Sequence, residues 1–209
     1  MARQSRTIRA EEIEEIACRL LEELGFAGVG MQAIARAAKA SNETLYRLYG
    51  DKMGLFRALI TRNGARLWGT LDDADERGER GLVVLRAVGP VLLTMLLSDR
   101  SVALNRAAAA DPSGALGRTL AEAGRNAASV KLNQIMADAQ EAGELGRQRD
   151  GREVTPRELT ELWLDLLTGS LQVRRVTGAI QPLTPEQIGL RNLRALDALV
   201  RLYPPALAG

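Results

Sequence analysis

The sequence contains no histidine, a single cysteine and only seven aromatic residues (Trp 2, Tyr 3, Phe 2). Without histidine the commonest general base and the commonest metal ligand are missing, which excludes histidine-based triads, zinc hydrolases and most metal-activated-water chemistry. Cys18 alone can form no intramolecular disulfide, and the chain suits a reducing cytosol. Long apolar runs are lacking too. The most apolar stretch, 82–97, is interrupted by Arg86 and Pro90 and falls short of the roughly 20 residues a bilayer crossing needs. The opening MARQSRTIRAEEIEEI has no apolar segment of the secretory kind, so a cytoplasmic location with no membrane partner is expected. Neither charge sign dominates: the net charge of +2 is too mild, by itself, to indicate a nucleic-acid partner. No nucleophile–base pair can be assembled, so no catalytic residue, metal ligand or cofactor is expected. Cys18 reads as a small packing residue at the flank of an apolar stripe rather than as a redox sensor.

Helical periodicity fills the chain, and no segment alternates as a strand bounded by hairpin turns. The expected class is all-α: an N-terminal three-helix domain over 1–50, then a helical bundle over 51–209. A basic arm (Arg3, Arg6, Arg9) precedes a helix whose inward stripe is Ile13, Ile16, Ala17, Leu20, Leu21 and Leu24. The glutamates around that stripe, Glu14 among them, form its wet side, and Gly25 ends it. Two short helices follow, with Ile34, Ala35, Ala38, Leu45 and Leu48 facing inward. Asp51 caps a longer helix carrying Leu55, Phe56, Leu59, Ile60 and Leu67 that ends near Trp68, and 72–81 reads as a charged surface loop. The run 82–97 is apolar nearly all round and so central, with Pro90 expected to kink it. An alanine-rich helix spans about 102–110, and a long one about 113–142. GRQRDGREV is a polar link. Thr155-Pro156-Arg157-Glu158 and Thr184-Pro185-Glu186-Gln187 are capping boxes with proline at the first helical position, opening the last two helices.

Met31 to Phe56 holds the functional constellation. Two short helices joined by Lys39-Ala40-Ser41, the second capped by Ser41, make a helix-turn-helix candidate whose second helix fits a major groove about 12 Å wide. Asn42 carries the donor and acceptor that suit adenine; Thr44 offers a hydroxyl or a methyl to a base edge. Tyr46, Arg47 and Lys52 are long donors suited to phosphate, and free amides near Met31 and Lys52 favour a phosphate oxygen. Tyr49 faces either inward or toward phosphate. Glu43 either accepts from a cytosine amine or repels phosphate. Arg6, Met31, Gln32 and Ser41 complete the expected contact set. Total charge argues little, since residues 1–57 carry nine Arg/Lys against eight Asp/Glu. Segregation argues more: six of those eight acids lie on the first helix.

From Ile13 to Phe56 the chain resembles the tetracycline-repressor (TetR) family of bacterial regulators. The resemblance lies in Gly25-Phe26, Ile34-Ala35, Ser41, Thr44-Leu45-Tyr46 and Lys52-Met53-Gly54-Leu55-Phe56. It implies a homodimeric regulator, most often a repressor, that binds a palindromic double-stranded DNA operator and is released by a small molecule held in the C-terminal domain. The region 101–146 echoes the effector domain of an acyl- or drug-responsive subgroup. Three positions depart from the pattern. Gly30 and Met31 stand where a hydroxyl residue is usual. Lys39 replaces a turn glycine and would be strained at positive φ. Leu48 replaces a phosphate-contacting histidine or aromatic.

In the family the effector lies among the middle helices. Trp68, Arg86, Thr94, Met95, Asn105, Arg106, Asn133 and Met136 are the candidates here, each with core packing or a solvated face as the alternative. The apolar middle of the chain favours an apolar effector. The last helix has two apolar sides, so Leu159, Trp163, Leu166, Leu167, Leu171, Leu193, Leu196 and Val200 are expected at a four-helix homodimer interface; the alternative is burial within one chain. A helical protein-interaction module without operator binding is the rival function, and salt-insensitive binding would mark it.

Overall fold

A computed structural model describes residues 2–205, with side chains described from residue 9 onward. The fold is all-α, and its helices group into two compact units. The first comprises residues up to Asn63 together with Asp99–Arg125; the second comprises Gly64–Ser98 and the residues from Asn126 on. This differs from a single boundary at residue 50, because the fourth, seventh and eighth helices bury their apolar faces with the first three. Among the described residues no single helix is long and apolar enough to cross a membrane.

The first unit contains α1 (Ala2–Gly28), α2 (Met31–Ala37), α3 (Asn42–Tyr49), α4 (Lys52–Asn63), α7 (Asp99–Ala109) and α8 (Ala115–Leu120). The basic arm is thus helical from Ala2. Gly25 breaks α1 as its sequence signals, at φ 66 and ψ 170. That break lets Phe26 meet Phe56 edge-on, with ring centroids 5.5 Å apart. The inward set of α1 is shifted from the expected one: Leu24 is 51% exposed, whereas Glu14 is fully buried. Glu14 shares its face with Ala17, Cys18 and Leu21, at helical spacings of three, four and seven.

The long fourth helix is interrupted. Residues 52–63 and 65–76 form separate helices around Gly64, and Leu67 belongs to the core of the second unit. The presumed charged loop at 72–81 is helical through Glu76. The long helix expected over 113–142 is likewise divided, with a π-helical segment, Ala121–Asn126, inserted before α9 (Ala127–Glu141).

In the second unit α6 (Leu82–Leu97) occupies the centre, packing against α5 (Ala65–Glu76), α9, α10 (Pro156–Thr168), α11 (Leu171–Val176) and α12 (Pro185–Leu202). Both capping boxes close as their sequences predict, on Thr155–Glu158 and on Thr184–Gln187. The polar link is not featureless. Gln148–Arg149 and Arg152–Glu153 pair as a minimal antiparallel hairpin, and Asp150 and Gly151, at φ 52 and 75, supply the two positive φ values of a type I′ turn.

Candidate nucleic-acid interface

The two short helices are fixed at both ends of their turn. At the start of α3, Ser41 has extended backbone and its hydroxyl accepts from the Thr44 amide at 3.1 Å; the Thr44 hydroxyl stands 2.8 Å from Ser41 Oγ. At the end of α2, Lys39 sits at φ 50, the strained left-handed conformation that its replacement of glycine made conditional. Arg9 of α1 reaches into that turn. Its Nη2 donates to the Ala38 carbonyl at 2.6 Å and the Lys39 carbonyl at 3.1 Å, while Nη1 pairs with Glu12 at 2.9 Å. A guanidinium therefore satisfies carbonyls left over at a helix C-terminus, where a cation is favoured.

Leu45 is completely buried and anchors α3, while Asn42, Glu43, Tyr46 and Arg47 stand exposed and Thr44 is half-buried beside them. These side chains line one outward surface of a helix whose free N-terminal end is its polar end. Ser41 at that end and Gln32 in the first turn of α2 are exposed. At α2 the N-cap is Gly30, extended and without a side-chain cap, so the first amides of that helix keep no protein partner.

Three expected contacts fall elsewhere. Met31 is only 7% exposed, and its side chain belongs to the core. Tyr49 turns inward: its hydroxyl lies 3.3 Å from the Ala10 carbonyl oxygen and 3.5 Å from Glu14 Oε1. Burial first, then the Glu14 charge, push that phenol up to about 12. Lys52 donates to the Phe26 carbonyl and sits 3.9 Å from the centre of the Phe26 ring, so its ammonium ties α4 to the end of α1. Burial lowers its pKa. Arg6 lies outside the residues whose side chains are described.

Lengthwise spacing is equally tight. A Cβ at Gly54 would stand 1.9 Å from the Tyr49 carbonyl oxygen, so the end of α3 rests directly on the first turn of α4. Asp51 caps that turn, accepting from the Gly54 amide at 2.7 Å.

The candidate effector residues do not converge. Arg86 and Thr94 are exposed on α6, and the Thr94 hydroxyl donates to its own helix at Pro90. Asn105 and Arg106 belong to the first unit, where Asn105 donates to the Ser101 carbonyl. Trp68, Met95 and Met136 pack in or against the core of the second unit. Asn133 is half-buried, with an Oδ1 that has no partner. None of them borders the groove of about 740 Å³ that runs along α1 near Arg9, Cys18 and Lys39.

The expected interface residues divide in two. Leu159, Trp163, Leu167 and Leu196 are at most 5% exposed inside their own unit, so they form core and cannot line a surface. Leu166, Leu171 and Val200 are half-buried; Leu193 is 46% exposed and Leu190, on the same side of α12, 49%. Of the second apolar side read for α12, Leu190 and Leu193 are thus about half exposed within the chain, while Val200 packs against the core.

Residues 13–59 match the family model described as bacterial regulatory proteins of the tetR family, and 83–205 match that of the AefR-like transcriptional repressor C-terminal domain. No curated protein matches the chain. Among solved structures, a TetR transcriptional regulator from Agrobacterium tumefaciens is 27% identical, with 93% of this chain and 94% of that one covered and a TM-score of 0.69. The flavonoid-responsive regulator FrrA is 26% identical, with 96% and 100% covered and a TM-score of 0.67. The regulator FadR from Bacillus subtilis, solved with stearoyl-CoA, is 14% identical over 91% and 97% of the chains at a TM-score of 0.69, a likeness of fold alone. With a capped helix-turn-helix in a matching N-terminal region and a matching C-terminal region following it in sequence, the chain belongs to the TetR family of DNA-binding transcriptional regulators.

Proposed function

We propose that the chain is a repressor that binds a palindromic operator as a homodimer through α3 and leaves it when a small apolar effector occupies the C-terminal unit. One observation carries the operator reading: Asn42, Tyr46 and Arg47 stand exposed around a fully buried Leu45, on a helix whose start is capped by Ser41. Asn42 and Thr44 read base edges from the first turn. Tyr46 and Arg47 hold phosphates, as do the uncapped amides of α2 and Gln32 beside them. A dimer places two such helices in successive major-groove turns, roughly 34–36 Å apart. The exposed Leu190 and Leu193, with half-buried Leu166, Leu171 and Val200, give that dimer its apolar surface.

The effector reading has its own support. Within the second unit, Trp163 Nε1 and Asn133 Oδ1 are buried without hydrogen-bond partners, a donor in the apolar core and an acceptor on α9. An apolar molecule with a few polar groups suits them. FrrA is described as flavonoid-responsive, and FadR regulators were solved with stearoyl-CoA and lauroyl-CoA. For release to follow, the effector must bind the operator-incompetent form more tightly, with couplings of about 1–3 kcal/mol.

The test is selection of bound duplexes from a random pool by purified protein, followed by mobility shifts at two salt concentrations with and without lauroyl-CoA or a flavonoid. A palindromic consensus, a steep salt dependence and release by one of the two compounds are expected. Absence of any retarded duplex at low salt overturns the operator reading.

A further inference from the structure

The recognition helix is held from behind by a buried carboxylate. Glu14 of α1 is fully buried and carries two contacts on its two oxygens. Oε2 accepts from Arg62 Nε, in the last turn of α4, at 2.6 Å; Oε1 lies 3.5 Å from the hydroxyl of Tyr49, the last residue of α3. Arg62 also reaches Glu11 at 3.1 Å. One side chain thus joins three helices of the unit, and two of its contacts fall on elements that differ in role. Tyr49 ends the helix that bears Asn42 and Thr44. Arg62 precedes by two residues the point, at Gly64, where the chain leaves the unit.

Burying a carboxylate is costly, and a buried ion pair contributes little net stability compared with apolar side chains of similar size. Its contribution is direction. An apolar residue at position 14 would fill the same space without preferring one angle between α1, α3 and α4. A carboxylate with one short, directional bond to Arg62 and the Tyr49 hydroxyl at 3.5 Å on its other oxygen does prefer one. The pose has little slack elsewhere, because the Tyr49 carbonyl rests on Gly54 and Arg9 grips the turn at the other end.

We infer that Glu14 is a positioning residue for operator readout, setting the pose of α3 through Tyr49 and linking it to the end of α4 through Arg62. The inference rests on the reading of α3 as the recognition helix. The substitutions that test it are Glu14→Gln, Tyr49→Phe, Arg62→Met and Arg62→Lys in the full-length protein. For each, affinity is measured for the selected operator and for a scrambled duplex, with the salt slope and the melting curve alongside.

Glu14→Gln, Tyr49→Phe and Arg62→Met are expected to lower the operator-to-scrambled affinity ratio about tenfold, since misaligned base contacts are lost while phosphate attraction stays. The scrambled-duplex affinity and the salt slope should not move, and Arg62→Lys should recover part of the ratio. A purely structural role would lower the melting temperature and leave the ratio of the folded protein unchanged, which overturns the inference. Tyr49→Phe, which removes one hydroxyl, decides the matter should Glu14→Gln fail to fold. If the unsubstituted protein shows no preference for any duplex, the recognition-helix reading itself fails, and the inference falls with it.

Discussion

Asn192 supplies the hydrogen bond that Pro90 cannot. Proline has no N–H to reach the carbonyl four residues back, and that carbonyl, of Arg86, instead accepts from the Asn192 side-chain amide at 3.1 Å. Asn192 is 1% exposed and has α6 packed directly against it: a Cβ at Gly89 would stand 1.9 Å from its Oδ1. The bond that Pro90 forfeits is thereby replaced from α12, and 82–97 is one continuous helix. Asn192→Ala should cost about 2 kcal/mol in denaturant unfolding, most of it the unsatisfied carbonyl. In a Pro90→Ala background, where residue 90 regains its own N–H, the same substitution should cost less than half as much. Equal costs in the two backgrounds would argue against the shared bond.

Lys39 offers a second test of stability. Its left-handed backbone is strained for a residue with a Cβ; its amide donates to the Arg36 carbonyl and its carbonyl accepts from Arg9. Lys39→Gly should therefore stabilise the first unit by about 1 kcal/mol, less the entropy glycine costs in the unfolded chain. Differential scanning calorimetry should show a rise of a few degrees at most. A fall would mean that the lysine side chain contributes more than its backbone costs.

What the sequence made legible was periodic and local. Ser41, both capping boxes, Gly25 and the buried faces of α2 and α3 follow from spacing and turn chemistry within a few residues. What it left hidden was pairing between distant elements. Lys52 reads as a phosphate donor until Phe26 is seen beneath it, and Arg9 as part of a basic arm until the α2 carbonyls are seen in front of it. Glu14 was hidden by its neighbours: among the six glutamates of the first helix, only its place on the Ala17–Leu21 face distinguishes it. The hairpin at Asp150-Gly151 was readable, because that dipeptide is a strong short-range turn signal, yet strands of two residues leave no alternation to notice.

Acid should loosen α10 first at its cap. Hydrogen bonds from the Thr155 amide, from Arg152 and from the Thr155 hydroxyl pull the Glu158 carboxyl down from 4.5 to about 2. A carboxyl whose folded pKa is depressed adds stability that is fully present above its unfolded value and is lost as pH falls through the folded one. Stability at position 158 should thus decline between pH 4.5 and about 2. Urea midpoints of the unsubstituted protein and of Glu158→Gln, measured at several pH values across that window, should converge as the pH falls. Parallel curves would show that the cap does not titrate in this range.

The two apolar sides of α12 should respond differently to charge. Leu190 and Leu193 are about half exposed within the chain, so Leu190→Arg with Leu193→Arg should leave each protomer folded and shift the species seen by light scattering from dimer to monomer. Leu199, on the other side, is fully buried, and Leu199→Arg should abolish cooperative unfolding instead. A dimer that survives the paired α12 substitutions would move the interface to another surface.

At the DNA interface, Asn42, Arg47 and Lys52 should separate by what each substitution changes. Asn42 is exposed in the first turn of α3, so Asn42→Ala should reduce operator affinity by about 1–3 kcal/mol and relax preference at one base pair, with the salt slope intact. Arg47 is exposed farther along the same helix; Arg47→Ala should weaken operator and scrambled duplex alike and reduce the salt slope by about one. Lys52 is the distinguishing case, because its ammonium is bonded to Phe26 rather than free. Lys52→Met should lower the melting temperature of the isolated protein, which neither of the other two substitutions should do. It should also leave the salt slope nearly unchanged, since no phosphate-bound cation is removed. If instead Lys52→Met reproduces the Arg47→Ala profile, with a reduced slope and an unchanged melting curve, then the lysine leaves Phe26 and takes a phosphate when DNA binds.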